Sequence, residues 1–144
     1  DLRFIIACIK INADLERVGD QAVNIVERVM DMVNYPKAPL NVDIPRMASL
    51  TIQMVRDALN SFLTADADLA HSVLERDDLI DDLNREIFEA ADFAMTHGVD
   101  THRDALDTLF VARNLERVAD HATNIAEDVI FWVRGADVRH HAQG

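Results

Sequence analysis

Acidic side chains recur at the same spacing in two parts of this chain, and their chemistry points to cation binding. The stretch LERVGDQAVNIVERVM at 15–30 returns as LERVADHATNIAEDVI at 115–130, with identity at ten of sixteen positions. The repeated polar residues are Glu16, Asp20, Asn24 and Glu27 in the first copy, and Glu116, Asp120, Asn124 and Glu127 in the second. Clustered carboxylate oxygens are the ligands that hard divalent and trivalent cations prefer.

A helix would place these polar residues on one strip. At about 100° per residue, Asp20, Asn24 and Glu27 all fall within about 80° of Glu16, and the repeated apolar residues fall on the opposite side. Carboxylates four residues apart on a helix repel each other by a few tenths of a kcal/mol. A bound cation would turn that repulsion into attraction. The alternative is a solvated polar strip whose acids pair with Arg17 or Arg117.

A second acidic pair, Asp77 and Asp81, again has a spacing of four residues. It lies within ERDDLIDD at 75–82, and charge runs of this kind usually mean a solvated face. The pair also flanks an apolar stripe, so it could reach a neighbouring helix. Together with Glu116 and Asp120 it could complete an oxygen-rich site.

The elements that must position these acids are predicted to be four long helices, so the fold class is all-α. The first runs from the start to about Val33, and its apolar stripe is Cys8, Ile11, Leu15, Val18, Ala22, Ile25, Val29 and Met32. Residues 34–43 form a linker because Pro36 and Pro39 exclude a helix. The second helix starts near Pro45, the third runs from Asp66 to Gly98, and the fourth starts at Asp100 or Thr101 and ends at Arg134.

Short connections force neighbouring helices to be antiparallel, so residues 44–135 are predicted to form a complete three-helix bundle. By the repeat, residues 1–33 are the third helix of a first, incomplete unit, and residues 136–144 are a tail. The apolar stripe of the first helix must be covered by the bundle, by another chain, or by both. We therefore expect a homo-oligomer.

Composition excludes several classes of function. The chain has 26 acidic and 14 basic residues, a net charge of −12 and no basic cluster, which argues against nucleic acid or anionic lipid as a partner. No run approaches the roughly 18 apolar residues of a membrane span, so direct membrane insertion is not expected. No basic n-region of a signal peptide is visible at Asp1, and a cytoplasmic location is predicted.

Specific motifs then suggest a family. LERVGDQAVNIVE and LERVADHATNIAE resemble the E-x-x-x-D signature of the PhoU family, the phosphate-specific transport system accessory proteins. DDLIDDL at 77–83 is similar to that family's second acidic motif, and IFWVRG at 130–135 to its closing segment. The resemblance implies two three-helix bundles in tandem.

The same resemblance implies a site and a role. Iron or zinc sites would use Glu16 and Asp20 in the first unit, and Glu116 and Asp120 with Asp77 and Asp81 in the second. The protein would be a negative regulator of the phosphate-starvation response. It would act as an adaptor between a phosphate ABC transporter and a sensor histidine kinase.

Other classes fit the residues less well. A carboxylate-bridged di-iron enzyme would use Glu-x-x-His motifs, and no Glu here is followed three residues later by His. A histidine phosphotransfer domain would need His71 or His121 as acceptor, and neither histidine recurs in the other copy. The expectation is a protein that is not an enzyme. A helical interaction module without metal stays open as an alternative.

Overall fold

Five α-helices make up the regular structure of the described residues. The computed structural model describes residues 1–35, 40–98 and 102–135, and every regular element in these ranges is an α-helix, which confirms the all-α class. They are α1 (Leu2–Met32), α2 (Ile44–Thr64), α3 (Ala67–Glu75), α4 (Asp77–His97) and α5 (His102–Arg134). The linker prolines, the predicted start of the fourth helix at Asp100 or Thr101, and the tail 136–144 lie outside the described residues.

Side-chain caps explain where α2 and α3 begin. The Asp43 carboxylate accepts a hydrogen bond from the Arg46 amide at 2.9 Å, and Pro45 occupies the first turn, where a missing N–H costs nothing. The Asp66 carboxylate does the same for the Leu69 amide at 2.9 Å. Between these two helices Ala65 adopts a left-handed conformation, with φ of 52°.

The predicted single helix from Asp66 to Gly98 is in fact two helices, because the hydrogen-bond ladder breaks at Arg76. The amide of Arg76 donates to the Val73 carbonyl at 3.2 Å, three residues back instead of four. The Ser72 carbonyl, which would accept the Arg76 amide in a regular helix, accepts a hydrogen bond from Arg76 Nε at 3.1 Å. Sequence periodicity could not reveal this break, since the apolar stripe continues through it.

Helix α5 lies at the centre of the fold and packs against each of the other four helices. Its repeated apolar residues are buried as predicted, with Ala122, Ile125 and Val129 fully buried and Leu115 and Val118 at most 7% exposed. Met47 and Met54 of α2 and Ile80 and Ile87 of α4 join the same core. Full burial of a side chain of this size contributes about 1.5–3 kcal/mol.

Helix α1 has only one helix beside its backbone, α5, among the described elements. The predicted stripe is therefore wrong for Leu15, Ala22 and Val29, which are exposed, Leu15 to 37% and Val29 to 45%. Val18 and Ile25 are half-buried. The strip that α1 buries is rotated toward α5 and mixes polar with apolar residues: Ala7, Ile11, Asp14, Val18, Gln21, Ile25, Arg28 and Met32.

An apolar groove of about 470 Å³ separates α1 from α2, with α5 as its floor. Val18, Ala22 and Ile25 of α1 line one wall, and Ile52 and Val55 of α2 line the other.

Among the described residues, every helix is too short or too polar to span a lipid bilayer.

Candidate metal centre

Four of the six predicted metal ligands come together between α4 and α5. Asp77 and Asp81 are one turn apart on α4, and Glu116 and Asp120 are one turn apart on α5. We call these four residues the carboxylate cluster. Helices α4 and α5 pack directly against each other, which brings the two pairs within electrostatic reach.

The carboxylates disfavour one another's charge. Burial, and then the charges of Asp81 and Asp120, raise the pKa of Asp77 from 3.8 to about 6. Burial first and then Asp120 raise the pKa of Glu116, although Arg113 and Arg117 oppose the change.

The same balance holds at Asp120. Burial, followed by the charge of Asp81, raises its pKa, and His121 opposes that change. For Asp77, burial and the charges of neighbouring acids all act in the same direction and raise its pKa. Raised carboxyl pKa values in a partly buried cluster mark a candidate functional site.

One oxygen of the cluster has no hydrogen-bond partner among the residues that the structure describes. Asp77 Oδ1 is buried and accepts no hydrogen bond. A buried acceptor without a partner costs about 1–3 kcal/mol, so a native structure rarely leaves one without a reason. A hard cation would supply the missing partner and offset the repulsion, so this donor set fits a metal ion.

The cluster is not a closed ligand shell. Within residues 1–35, 40–98 and 102–135, no three His, Cys, Asp or Glu side chains already converge to hold one ion. Mutual repulsion separates carboxylate oxygens, and an ion would have to draw them in by side-chain rotation. The side chains of Asp81 and Asp120 are exposed and are free to turn toward an ion.

The other two predicted ligands, Glu16 and Asp20, lie elsewhere. Both are exposed on α1, on the side turned away from the strip that packs against α5. Helix α1 makes no backbone contact with α4. The structure therefore does not bring these two acids to the carboxylate cluster.

The repeated asparagines have a structural explanation, and their predicted place on the outward acidic strip is wrong. Asn24 Nδ2 donates to Asn114 Oδ1 at 3.4 Å, and Asn124 Nδ2 donates to Asp14 Oδ1 at 3.3 Å. Positions 14 and 114 are equivalent in the repeat, as are 24 and 124, so the two bonds are related by a pseudo-twofold axis between antiparallel helices. We call this polar contact of α1 with α5 the seam.

The seam also includes a histidine of α5. His121 Nδ1 lies 2.9 Å from Asp14 Oδ1, and its side chain is only 14% exposed. Sequence reasoning missed Asp14 and Asn114, which are buried. The available signal was a polar residue at the same place in both copies, at helical spacing between apolar residues: Asp14 between Ile11 and Val18, and Asn114 between Val111 and Val118. Farther along, Arg28 pairs with Asp107 at 3.1 Å.

Comparison with known proteins gives the family. The model of the PhoU domain family matches residues 1–29 and 44–129. The PhoU homolog of Pseudomonas putida, a phosphate-specific transport system accessory protein, is 41% identical over 97% of this chain and 55% of its own length. PhoU homolog 1 of Thermotoga maritima is 33% identical over 99% of this chain and 62% of its own length.

Solved structures agree with these matches. The crystal structure of PhoU from Pseudomonas aeruginosa has a TM-score of 0.85 at 37% identity and is matched over 94% of this chain and 66% of that one. The PhoU regulatory protein of the phosphate transport system from Streptococcus pneumoniae has a TM-score of 0.84 at 27% identity. The chain thus spans a little over half to two thirds of the proteins it matches. Since the family model covers well over half of its residues, this chain belongs to the PhoU domain family.

Proposed function

We propose that this chain is a metal-binding, non-enzymatic regulator of phosphate uptake, in which the carboxylate cluster holds a divalent or trivalent cation. The observation that carries the proposal is the buried, unpartnered oxygen of Asp77 among three other acids. Kinship with accessory proteins of a phosphate transport system supports the regulatory role. Asp77, Asp81, Glu116 and Asp120 would be the ligands, and iron or zinc the ion.

The ion would neutralise charge and fix the relative position of α4 and α5. Carboxylates that repel each other without metal become mutual ligands with it, and binding energy of this kind adds to the stability of the fold. The position of α4 against α5 would then depend on metal. In a regulator, a partner protein could then bind the surface of α4 and α5 differently with and without metal.

The proposed partners are a phosphate ABC transporter and a sensor histidine kinase, met in the cytoplasm. The protein would act as an adaptor and a negative regulator of the phosphate-starvation response. We further propose self-association through α1, whose exposed Val23, Val26, Val29 and Met30 form an apolar surface. Exposed apolar patches of this kind mark interaction sites. Glu16 and Asp20 would bind metal only with ligands from outside α1.

The test compares two double variants that remove the same charge. Glu116→Ala with Asp120→Ala should lose most of the metal bound by the purified chain, measured by elemental analysis, while far-ultraviolet circular dichroism stays nearly unchanged. Glu89→Ala with Asp92→Ala, which removes two exposed acids of α4, should keep it. Equal metal content in the two variants would refute the site.

A metal-free interaction module is the second candidate, and the groove between α1 and α2 favours it. Its walls are apolar side chains of three helices, which suits an amphipathic helix as ligand. Wild-type chain that takes up neither zinc nor iron from solution would leave this as the better function.

A further inference from the structure

The break between α3 and α4 is made by a side chain that replaces a backbone group. In a regular α-helix the Ser72 carbonyl would accept the amide of Arg76. Here it accepts Arg76 Nε at 3.1 Å, and the amide bonds to Val73 instead. The helix therefore loses one step of its ladder at Arg76, and a new helix begins at the next residue.

Both residues of the ion pair, Arg76 and Asp57, make further hydrogen bonds. Arg76 Nη2 lies 2.7 Å from Asp57 Oδ2 of α2 and 3.3 Å from Ser72 Oγ. Gln53 Nε2 donates to the other oxygen of Asp57 at 3.0 Å. Only 28% of the Arg76 side chain and 18% of the Asp57 side chain are exposed, so this ion pair is partly shielded from water. The residue at the break is therefore held to α2 by an ion pair as well as to its own helix.

The first residue after the break belongs to the carboxylate cluster. Helix α4 starts at Asp77, and Asp81 follows one turn later. Arg76 and Asp77 are adjacent, so the hydrogen bonds that hold Arg76 to Ser72 and to Asp57 of α2 also hold the residue that begins α4. These bonds fix the place at which the first turn of α4 starts beside α5, the helix that carries Glu116 and Asp120.

We propose that Arg76 is a positioning residue for the metal site: its guanidinium breaks the helix at one step and so sets Asp77 and Asp81 against Glu116 and Asp120. The inference rests on the proposed function, because it assigns a support to the same site. Arg76 binds no ion itself. Its charge is paired with Asp57, on the side of α2.

The direction in which metal affinity changes in Arg76→Gln distinguishes a positioning role of Arg76 from a purely electrostatic one. Removing a positive charge near a cation site strengthens cation binding by Coulomb's law. Loss of a positioning residue weakens it instead, typically by about 10–100-fold for groups that orient metal ligands. Arg76→Gln should therefore bind the ion more weakly even though the site becomes more negative.

The experiment titrates metal-free chain with Zn²⁺ and with Mn²⁺ by calorimetry. Arg76→Gln should lose about tenfold or more in affinity, and Arg76→Lys should lose nearly as much, because lysine keeps the charge but has no Nε–H for the Ser72 carbonyl. The control is Arg85→Gln, which removes an exposed arginine of α4 paired with Asp82. Its affinity should stay the same or increase.

A second readout needs no metal. Amide hydrogen exchange at residues 76–80 should slow in Arg76→Gln, because a continuous ladder would close over the break. Equal or tighter binding by Arg76→Gln, or unchanged exchange at these amides, would overturn the inference. If the wild-type chain binds neither ion, the proposed function fails, and the exchange measurement still decides whether Arg76 makes the break.

Discussion

Replacing Asp77 with asparagine should stabilise the metal-free chain at neutral pH. In the folded chain the pKa of Asp77 is raised from 3.8 to about 6, chiefly by burial. A group with a raised folded pKa contributes stability below its unfolded pKa, and that contribution is lost as the pH rises through the folded value. For Asp77 the loss falls between about pH 4 and pH 7.

The magnitude follows from the size of the shift. About two pKa units at about 1.4 kcal/mol each give a ceiling near 3 kcal/mol. Asp77 is half-buried and its repulsion is shared with Asp81 and Asp120, so solvent screening reduces the expected effect to about 1–2 kcal/mol. Asparagine keeps the shape and carries no charge. The gain of Asp77→Asn over wild type should be present at pH 7 and absent near pH 4.

A cation should reverse this dependence. Metal ligands must be deprotonated, so a wild-type chain in excess Zn²⁺ should gain stability as the pH rises. At one hundred times the dissociation constant the gain is about 2.7 kcal/mol. Asp77→Asn lacks a ligand and should gain much less. The variant would then be the more stable chain without metal and the less stable one with it.

The assay is urea unfolding followed by circular dichroism at a series of pH values, with and without Zn²⁺. Asp92→Asn, an exposed acid on the same helix, is the matched control and should track the wild type. A difference between Asp77→Asn and wild type that does not vary with pH would refute the reasoning. A metal-free wild type that gains on the variant as the pH rises would refute it too.

Two further predictions concern packing. Val129→Ala should lower the free energy of unfolding by about 2–3 kcal/mol, since it removes two fully buried methyl groups and leaves a cavity. Val29→Ala, at the equivalent position, should lower it by less than about 1 kcal/mol, because Val29 is 45% exposed. Equal losses of stability in urea unfolding would contradict the different burial of the two copies. Asp14→Ala removes the acceptor of His121 and Asn124 and should weaken the seam by about 1–3 kcal/mol. Hydrogen exchange should then speed up in α1 and not in α4, and an equal increase in both helices would speak against a local effect.

Much of the cluster could be predicted from spacing alone. Acids four residues apart must share a helix face, which holds for Asp77 with Asp81 and for Glu116 with Asp120. The starts of α2 and α3 could be predicted from Pro45 and Asp66, because proline and a capping side chain act locally.

The burial of α1 and the break between α3 and α4 could not be predicted from the sequence of each helix taken alone. A helical wheel shows which residues share a face but not which helix covers that face. Leu15 and Leu115 have the same sequence surroundings, yet α5 is enclosed and α1 has one neighbour. The break at Arg76 depends on Asp57, nineteen residues earlier, and no periodicity records that contact.

The single attachment of α1 has a consequence for the order of folding. The α2–α5 bundle closes through short connections, while the seam joins Asp14 to His121 across 107 residues. Contacts between distant parts of a chain form late, because the entropy of closing the loop must be met first. The bundle should assemble with its carboxylates in place before α1 docks, and α1 should be the first helix to leave on unfolding. Its release would free the polar side of α5 while the rest stays folded.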